Sequence, residues 1–373
     1  MVNQREENQT SNMIILIGNG FDLAHELKTN FSDFAEYYVD QKIIPALVDE
    51  IRSKTNSPLF KKRFHGIMSN RSGYNNSPKD YYDYIWNYGL RVENNREKLK
   101  NYISQNSYEL VNILSNELLG KLYGPGYTNW FDVEHSYFHE LKLLKNKSLK
   151  NKTPKINTEE VSKLNKEFDE IKRELEIYLS TIRIEKNEQI QNFIDLNIKN
   201  ALNIYLINFN YTNSVEQYLE ESRKNKNVEI NYIHGKLDKE NIIFGYGNDQ
   251  NQVYQEIKDL EIDTFLHHFK TFKYMRDGNY MDIFQNAIDK FDEYEVLVLG
   301  HSLGATDKTL LDEIFNNDKC VKISFFKRRD LENNPDDLAK AFDTLLYSAG
   351  RIVENEKKLR KKVLNFKDSS FFP

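Results

Sequence analysis

Apolar residues gather in short runs near the two ends of the chain and recur at helical spacing through its middle. Residues 13–17 (Met-Ile-Ile-Leu-Ile) are consecutively apolar, as a strand buried on both faces requires. Residues 204–209, 229–233, 242–244, 296–299 and 321–326 repeat the pattern, rich in Ile, Val, Leu and Phe and bounded by glycine or polar turns. Between residues 31 and 199 the period changes. Phe31, Phe34, Tyr37 and Tyr38 follow helical spacing, as do Leu110, Val111, Leu114 and Leu118. Residues 158–198 are charged and periodic, which predicts one or two long helices with solvated faces. A last helix is expected at 335–361, and exposed loops at 69–79 and 145–155.

This order predicts an α/β fold: a mostly parallel sheet with a large helical insertion after the first strand. The expected boundaries are a disordered tail at 1–12, an α/β domain from 13–30 plus 200–364, the insertion at 31–199, and a frayed tail at 365–373. Composition narrows the picture. The chain has 373 residues, a net charge of -5 and a single cysteine, Cys320. That excludes a disulfide framework and a cysteine-based zinc site, and it suits a reducing cytoplasm. The acidic balance argues against a general nucleic-acid coat, although a local basic groove stays open and nucleic acid is not excluded as a partner. No apolar run reaches membrane-spanning length, and residues 1–12 are too polar for a signal peptide or anchor, so no membrane partner is expected.

Candidate chemistry sits where the predicted strands end. Gly18-Asn19-Gly20-Phe21-Asp22 follows the first strand and opens a helix, the corner where open α/β sheets bind nucleotides. The third glycine of a dinucleotide fingerprint is replaced by Leu23, and Asp22 competes with phosphate for the helix N-terminus. Asn208 and Asn210 follow the second strand and suit a sugar hydroxyl or a water. His234, before Gly235, is a candidate base at the next strand end, and Gly245 lies in a further glycine turn. Gly300-His-Ser302-Leu-Gly304 matches the nucleophile elbow of serine hydrolases, but no histidine follows Ser302 to serve it in that fold's order. The alternative is a ligand pocket lined by Gly300 and Ser302, with Asp307 opening the next helix. Asp132, Glu134, His135 and His139 offer weaker, metal-binding chemistry on a predicted helix. Lys327, Arg328 and Arg329 form a short solvated basic cluster, and His267 and His268 are read as surface or core filling.

These motifs together resemble the AbiH family of phage abortive-infection proteins. The resemblance rests on residues 18–23 and 32–34, 130–134, 208–211, His234-Gly235, 244–247 and 300–304. That family is in turn distantly similar to sirtuin-like NAD-consuming domains, which implies a Rossmann-type, sirtuin-like sheet. By that resemblance NAD is the substrate and its nicotinamide–ribose bond is cleaved. Asn210 and His234 would be catalytic, with Asp22 stabilising developing positive charge. Gly18, Asn19, Gly20, Phe21, Asn208, Gly245, Gly300 and Ser302 would hold the cofactor, and no resident metal is implied. A phage trigger and a homo-oligomer are the expected partners beside the nucleotide. The alternative is a nucleotide-sensing or nucleic-acid-acting defence protein, including a metal-dependent nuclease, without NAD hydrolysis.

Overall fold

The computed structural model describes residues 11–43, 116–122, 130–149, 157–237, 241–353 and 356–373. Its elements run β1 (Asn12–Ile17), α1 (Asn19–Leu23), α2 (Phe31–Tyr38), α3 (Glu117–Leu122), α4 (Trp130–Leu149), α5 (Thr158–Ser180) and α6 (Glu188–Asn197). There follow β2 (Asn203–Asn208), β3 (Asn227–Tyr232), α7 (Gln252–Lys258), α8 (Lys270–Asp277), β4 (Tyr294–Leu299), α9 (Lys308–Asn316) and β5 (Cys320–Phe325). The chain closes with β6 (Lys327–Arg328), α10 (Pro335–Ile352), α11 (Glu356–Lys362) and β7 (Phe371–Phe372). Two compact units result, residues 1–29 with 179–373, and residues 30–178.

The first unit holds a five-stranded, all-parallel sheet in the order β3-β2-β1-β4-β5. Strand alternation divides the apolar residues between two cores. Ile14, Leu16, Tyr205, Ile207, Val296 and Val298 pack on one face with Leu310, Ile314, Phe342 and Ile352. Met13, Ile15, Ile17, Leu206 and Leu299 pack on the other with Ile190, Phe193 and Tyr218. Both faces are therefore covered, which is why the central strands β2, β1 and β4 are apolar along most of their length. The edge strands β3 and β5 carry polar residues and are partly exposed. Ile17 pairs with Asn208 on one side and Leu299 on the other, so β1, β2 and β4 end level. Asn208 pairs with Tyr232, which adds β3 to the same edge.

In the second unit, α2 to α5 surround an aromatic core. Tyr137 stacks on Phe168 at 4.2 Å, and its hydroxyl donates to Asn165 Oδ1 at 2.6 Å. Trp130 lies against Phe31 and Phe34, at 5.3 and 5.2 Å. The charged segment 158–198 resolves into α5 and α6, two helices as its periodicity allowed. Leu110, Val111 and Leu114, and the expected loop at 69–79, lie outside the described residues.

Several expectations change. Residues 242–244 form no strand: Ile243 N–H donates to the His234 carbonyl at 2.7 Å and the segment runs as buried loop beyond β3. A short buried apolar run carries the same pattern in a strand or a core loop. The expected loop at 145–155 begins as helix, because α4 continues to Leu149 with Lys145 buried, and residues 150–155 lie outside the described ones. The last helix divides into α10 and α11.

The tail at 365–373 is docked rather than frayed. Lys327 N–H donates to the Ser370 carbonyl at 2.9 Å, and β7 pairs with β6. Ser369 Oγ donates to the Phe325 carbonyl at 2.5 Å. Phe372 is buried against Phe21 and Phe193, with ring centroids at 5.9 and 5.1 Å. The same tail draws Lys327 from the expected solvated cluster onto the rings of Phe366 and Phe371, with the exposed Arg329 also over Phe371 and the exposed Arg328 paired with Asp330. Truncating a buried phenylalanine loses its transfer energy and leaves a cavity. Phe372→Ala is expected to lower unfolding free energy by about 3 kcal/mol, measured by urea denaturation. A change within error of zero would contradict the docked tail.

Candidate functional site

The turns after β1 and β4 meet backbone to backbone. Gly18 N–H donates to the Leu299 carbonyl at 3.0 Å, Gly20 N–H to Gly300 at 2.9 Å, and Phe21 N–H to Gly18 at 2.8 Å. A Cβ on Gly300 would lie 2.2 Å from Phe21 N, and Gly300 has φ +72. One on Gly18 would lie 2.4 Å from the His301 Cα. The glycines thus serve a close approach of two loops. The Gly18 and Gly20 amides, which a phosphate cradle would turn to a ligand, are bonded inside the fold.

The turn after β2 joins the same contact. Asn210 Nδ2 donates to the Gly18 carbonyl, Asn210 N–H to Asn208 Oδ1, and Asn208 Nδ2 to the Thr212 carbonyl, each at 3.0 Å. Asp22 is buried and accepts from the hydroxyls of Thr212 at 2.7 Å and Ser214 at 2.5 Å. Asn19 Oδ1 accepts from Thr29 Oγ1 at 2.6 Å. Phe21 is fully buried among His25, Tyr218 and Phe372. These residues tie strand ends together. Ser302 is exposed, and Gly245 packs under the His268 carbonyl.

His234 leads to a second constellation. Its Nδ1 faces the Phe209 carbonyl at 2.9 Å, and a carbonyl can only accept, so this nitrogen carries a proton. Its Nε2 lies 3.1 Å from Asp307 Oδ1 and 3.3 Å from Lys270 Nζ. Lys270 Nζ also reaches Asp307 Oδ1 at 3.0 Å, and that lysine is 1% exposed. His301 completes the group with Nε2 3.7 Å from Asp307 Oδ2. Because His301 Nδ1 accepts from Leu303 N–H at 3.0 Å, its neutral ring holds the proton on Nε2, toward Asp307. Burial acts to raise the Asp307 carboxyl, but Lys270 and His234 outweigh it and hold the group well below the usual carboxylate range. Aromatic rings wall the site. Tyr274 stacks over His234 at 6.2 Å, and Phe209 lies 4.1 Å from His301.

This arrangement gives His234 Nε2 two compatible states. Neutral, it accepts from Lys270; protonated, it donates to Asp307. The group can therefore take up a proton at Nε2 beside a carboxylate that already pairs with Lys270, as general acid–base chemistry requires. Lys270 and Asp307 were invisible as site residues in the sequence. Lys270 opens α8 among ordinary helix residues, and Asp307 reads as a helix opener; no spacing rule links either to His234. The metal-binding reading of α4 loses its geometry: Glu134 is buried, whereas His135 and His139 are exposed. Positions five apart on a helix do not share one face. Among the described residues no imidazole is hydrogen-bonded to Ser302, which leaves the elbow motif without a base.

Burial pushes the Asp22 carboxyl up to about 6 from 3.8, against the hydrogen bonds of Ser214, Thr212 and Asn210. The folded state thus binds a proton the unfolded state releases, and stability from this group is present below pH 3.8 and lost as pH rises through about 6. Between pH 4 and 7, wild type should lose on the order of 2 kcal/mol relative to Asp22→Asn. Paired urea titrations measure this, and a constant difference between the two proteins would contradict it.

No curated protein matches the chain. The family model described as bacteriophage abortive infection AbiH matches residues 14–327, which takes in the five-stranded sheet from Ile14 onward and every member of the His234 constellation. The chain belongs to the AbiH family of bacteriophage abortive-infection proteins.

Proposed function

We propose that this abortive-infection protein is an enzyme whose acid–base centre is His234, held by Asp307 and Lys270. The observation that carries the reading is the buried hydrogen-bonded group at the carboxyl ends of β3 and β4, the edge where open parallel sheets bind ligands. The strand order β3-β2-β1-β4-β5 reverses direction between β1 and β4, and it supports a Rossmann-type sheet.

NAD is the proposed substrate, and the sirtuin-like resemblance of Asn210 and His234-Gly235 supports that choice. The C1′–N bond of the nicotinamide riboside breaks, and the leaving nicotinamide takes the electron pair. A water oxygen bonds C1′, and its proton passes to His234 Nε2. Lys270 turns its hydrogen bond wholly to Asp307 as His234 becomes charged. Asn210, Asn208 and Asp22 act as positioning residues in this scheme, since their polar atoms are spent on neighbouring turns. The phosphates bind outside the Gly18–Gly20 turn, whose two glycine amides are occupied.

A second reading is favoured by the closure of the same group: His234 is 6% exposed and its Nε2 faces inward. A site of that kind also suits a nucleotide sensor that binds without turnover.

Purified protein incubated with NAD, with and without lysate from phage-infected cells, separates these readings. Nicotinamide release should appear and fall at least about a hundredfold in His234→Ala, with plaque protection lost in parallel. Calorimetric binding of NAD or ADP-ribose without release would favour the sensor. Full protection by His234→Ala would overturn both.

A further inference from the structure

The geometry points to Gly247 as a positioning residue of the His234 centre, with the turn Gly245–Gly247 as the spacer that sets Lys270 against Asp307. This rests on the reading of His234 as the acid–base group and holds whatever substrate that group serves. Lys270 and Asp307 belong to different elements: Lys270 is the first residue of α8, and Asp307 immediately precedes α9. Their contact at 3.0 Å is buried, and a buried ion pair offsets its desolvation only when its geometry is close to ideal. The gap between the two helix starts must therefore be fixed.

The Gly245–Gly247 turn is tied to both. On the α8 side, Tyr246 N–H donates to the His268 carbonyl at 3.0 Å, and Lys270 N–H donates to the Tyr246 carbonyl at 2.9 Å. Tyr254 stacks on Phe269 at 4.2 Å and lies 6.5 Å from the Tyr246 ring, which adds an aromatic tie to the same helix start. On the α9 side, Thr309 Oγ1 lies 3.0 Å from the Gly247 carbonyl and 2.6 Å from Asp249 Oδ1. Its one proton anchors the turn to the start of that helix.

The two glycines answer different demands. A Cβ on Gly245 would lie 2.0 Å from the His268 carbonyl oxygen, so the bridge to α8 itself requires glycine there. Gly247 has no positive φ, and its backbone would accept alanine. Space forbids it. A Cβ on Gly247 would lie 2.4 Å from the Thr306 carbonyl oxygen and 3.3 Å from both Cβ and Cδ of Lys270. Thr306 precedes Asp307, and Lys270 Cδ is two bonds from the ammonium. A methyl group at 247 thus presses on the supports of both charges at once and drives them apart. Centres of this kind tolerate only small displacements before their chemistry suffers.

The test reads the nitrogen resonance of His234 Nε2 by long-range proton–nitrogen NMR of the full-length protein, at a pH where the ring is neutral. Wild type, Gly247→Ala, Lys270→Met and the double variant are compared. Gly247→Ala should move the resonance in the same direction as Lys270→Met, because the ammonium is pushed off Nε2. The double variant should move it by less than the sum of the two single shifts, since both changes act on one contact. Thr309→Val should reproduce part of the Gly247→Ala shift, whereas Thr309→Ser should keep the wild-type position; this pair decides the matter if Gly247→Ala does not fold. An unmoved resonance in folded Gly247→Ala, shifts that add in the double variant, or Thr309→Val indistinguishable from wild type would overturn the proposal and leave the turn a packing element. An unmoved resonance in Lys270→Met would overturn the centre and its spacer together. A wild type that releases no nicotinamide would overturn the choice of substrate alone, with the resonance shifts still as expected.

Discussion

The contact between the turns after β1 and β4 is the constraint on which the rest of the carboxyl edge depends. Two adjacent parallel strands end level, and their loops must either part around a ligand or touch. Here they touch, because Gly18, Gly20 and Gly300 remove the side chains that would hold them apart. The amides that a dinucleotide fold turns outward are bonded to the neighbouring loop. Asn210 and Asp22 then draw the turn after β2 into the same lattice. What resembles a phosphate loop in the sequence is a clasp in the structure.

Closing that corner moves the polar chemistry sideways. The Phe209 carbonyl, fixed by the clasp, holds the proton on His234 Nδ1. This leaves Nε2 to choose between Lys270 and Asp307. A buried ammonium and carboxylate are costly to desolvate, and each is tolerable only with the other in place. Their retention beneath an aromatic wall, with His301 on the second carboxylate oxygen, concentrates exchangeable protons where the sheet's ligands are expected. The family supplies the biological setting; the proposed reaction rests on these side chains.

Much of the scaffold was legible in the sequence. Buried strands announce themselves as apolar runs, and β1, β2 and β4 did so, while β5 showed through the apolar residues around Lys322 and Ser324. Residues 242–244 met the same criterion and are loop, because burial alone sets the pattern and hydrogen-bond partners do not. The tail at 365–373 looked frayed since its three phenylalanines show no period; only the exposed edge of Lys327 and the ring of Phe21 explain their docking. The site was half legible. Glycine, asparagine and histidine at strand ends marked where the loops converge, and their hydrogen bonds confirm the convergence. Lys270 and Asp307 left no trace, because their partnership with His234 spans many residues and exists only after folding.

The tautomer of His234 is the most direct measurement of the central claim, that a fixed imidazole rather than the glycine turn carries the chemistry. Long-range proton–nitrogen NMR of the full-length protein, with its histidines labelled by ¹⁵N, reports which ring nitrogen is protonated. At a pH where the ring is neutral, the account predicts a proton on Nδ1 and a bare Nε2. The Nε2 resonance should shift in Lys270→Met, because its hydrogen-bond donor is gone. A proton on Nε2 with Nδ1 bare, or an Nε2 resonance indifferent to Lys270, would contradict it.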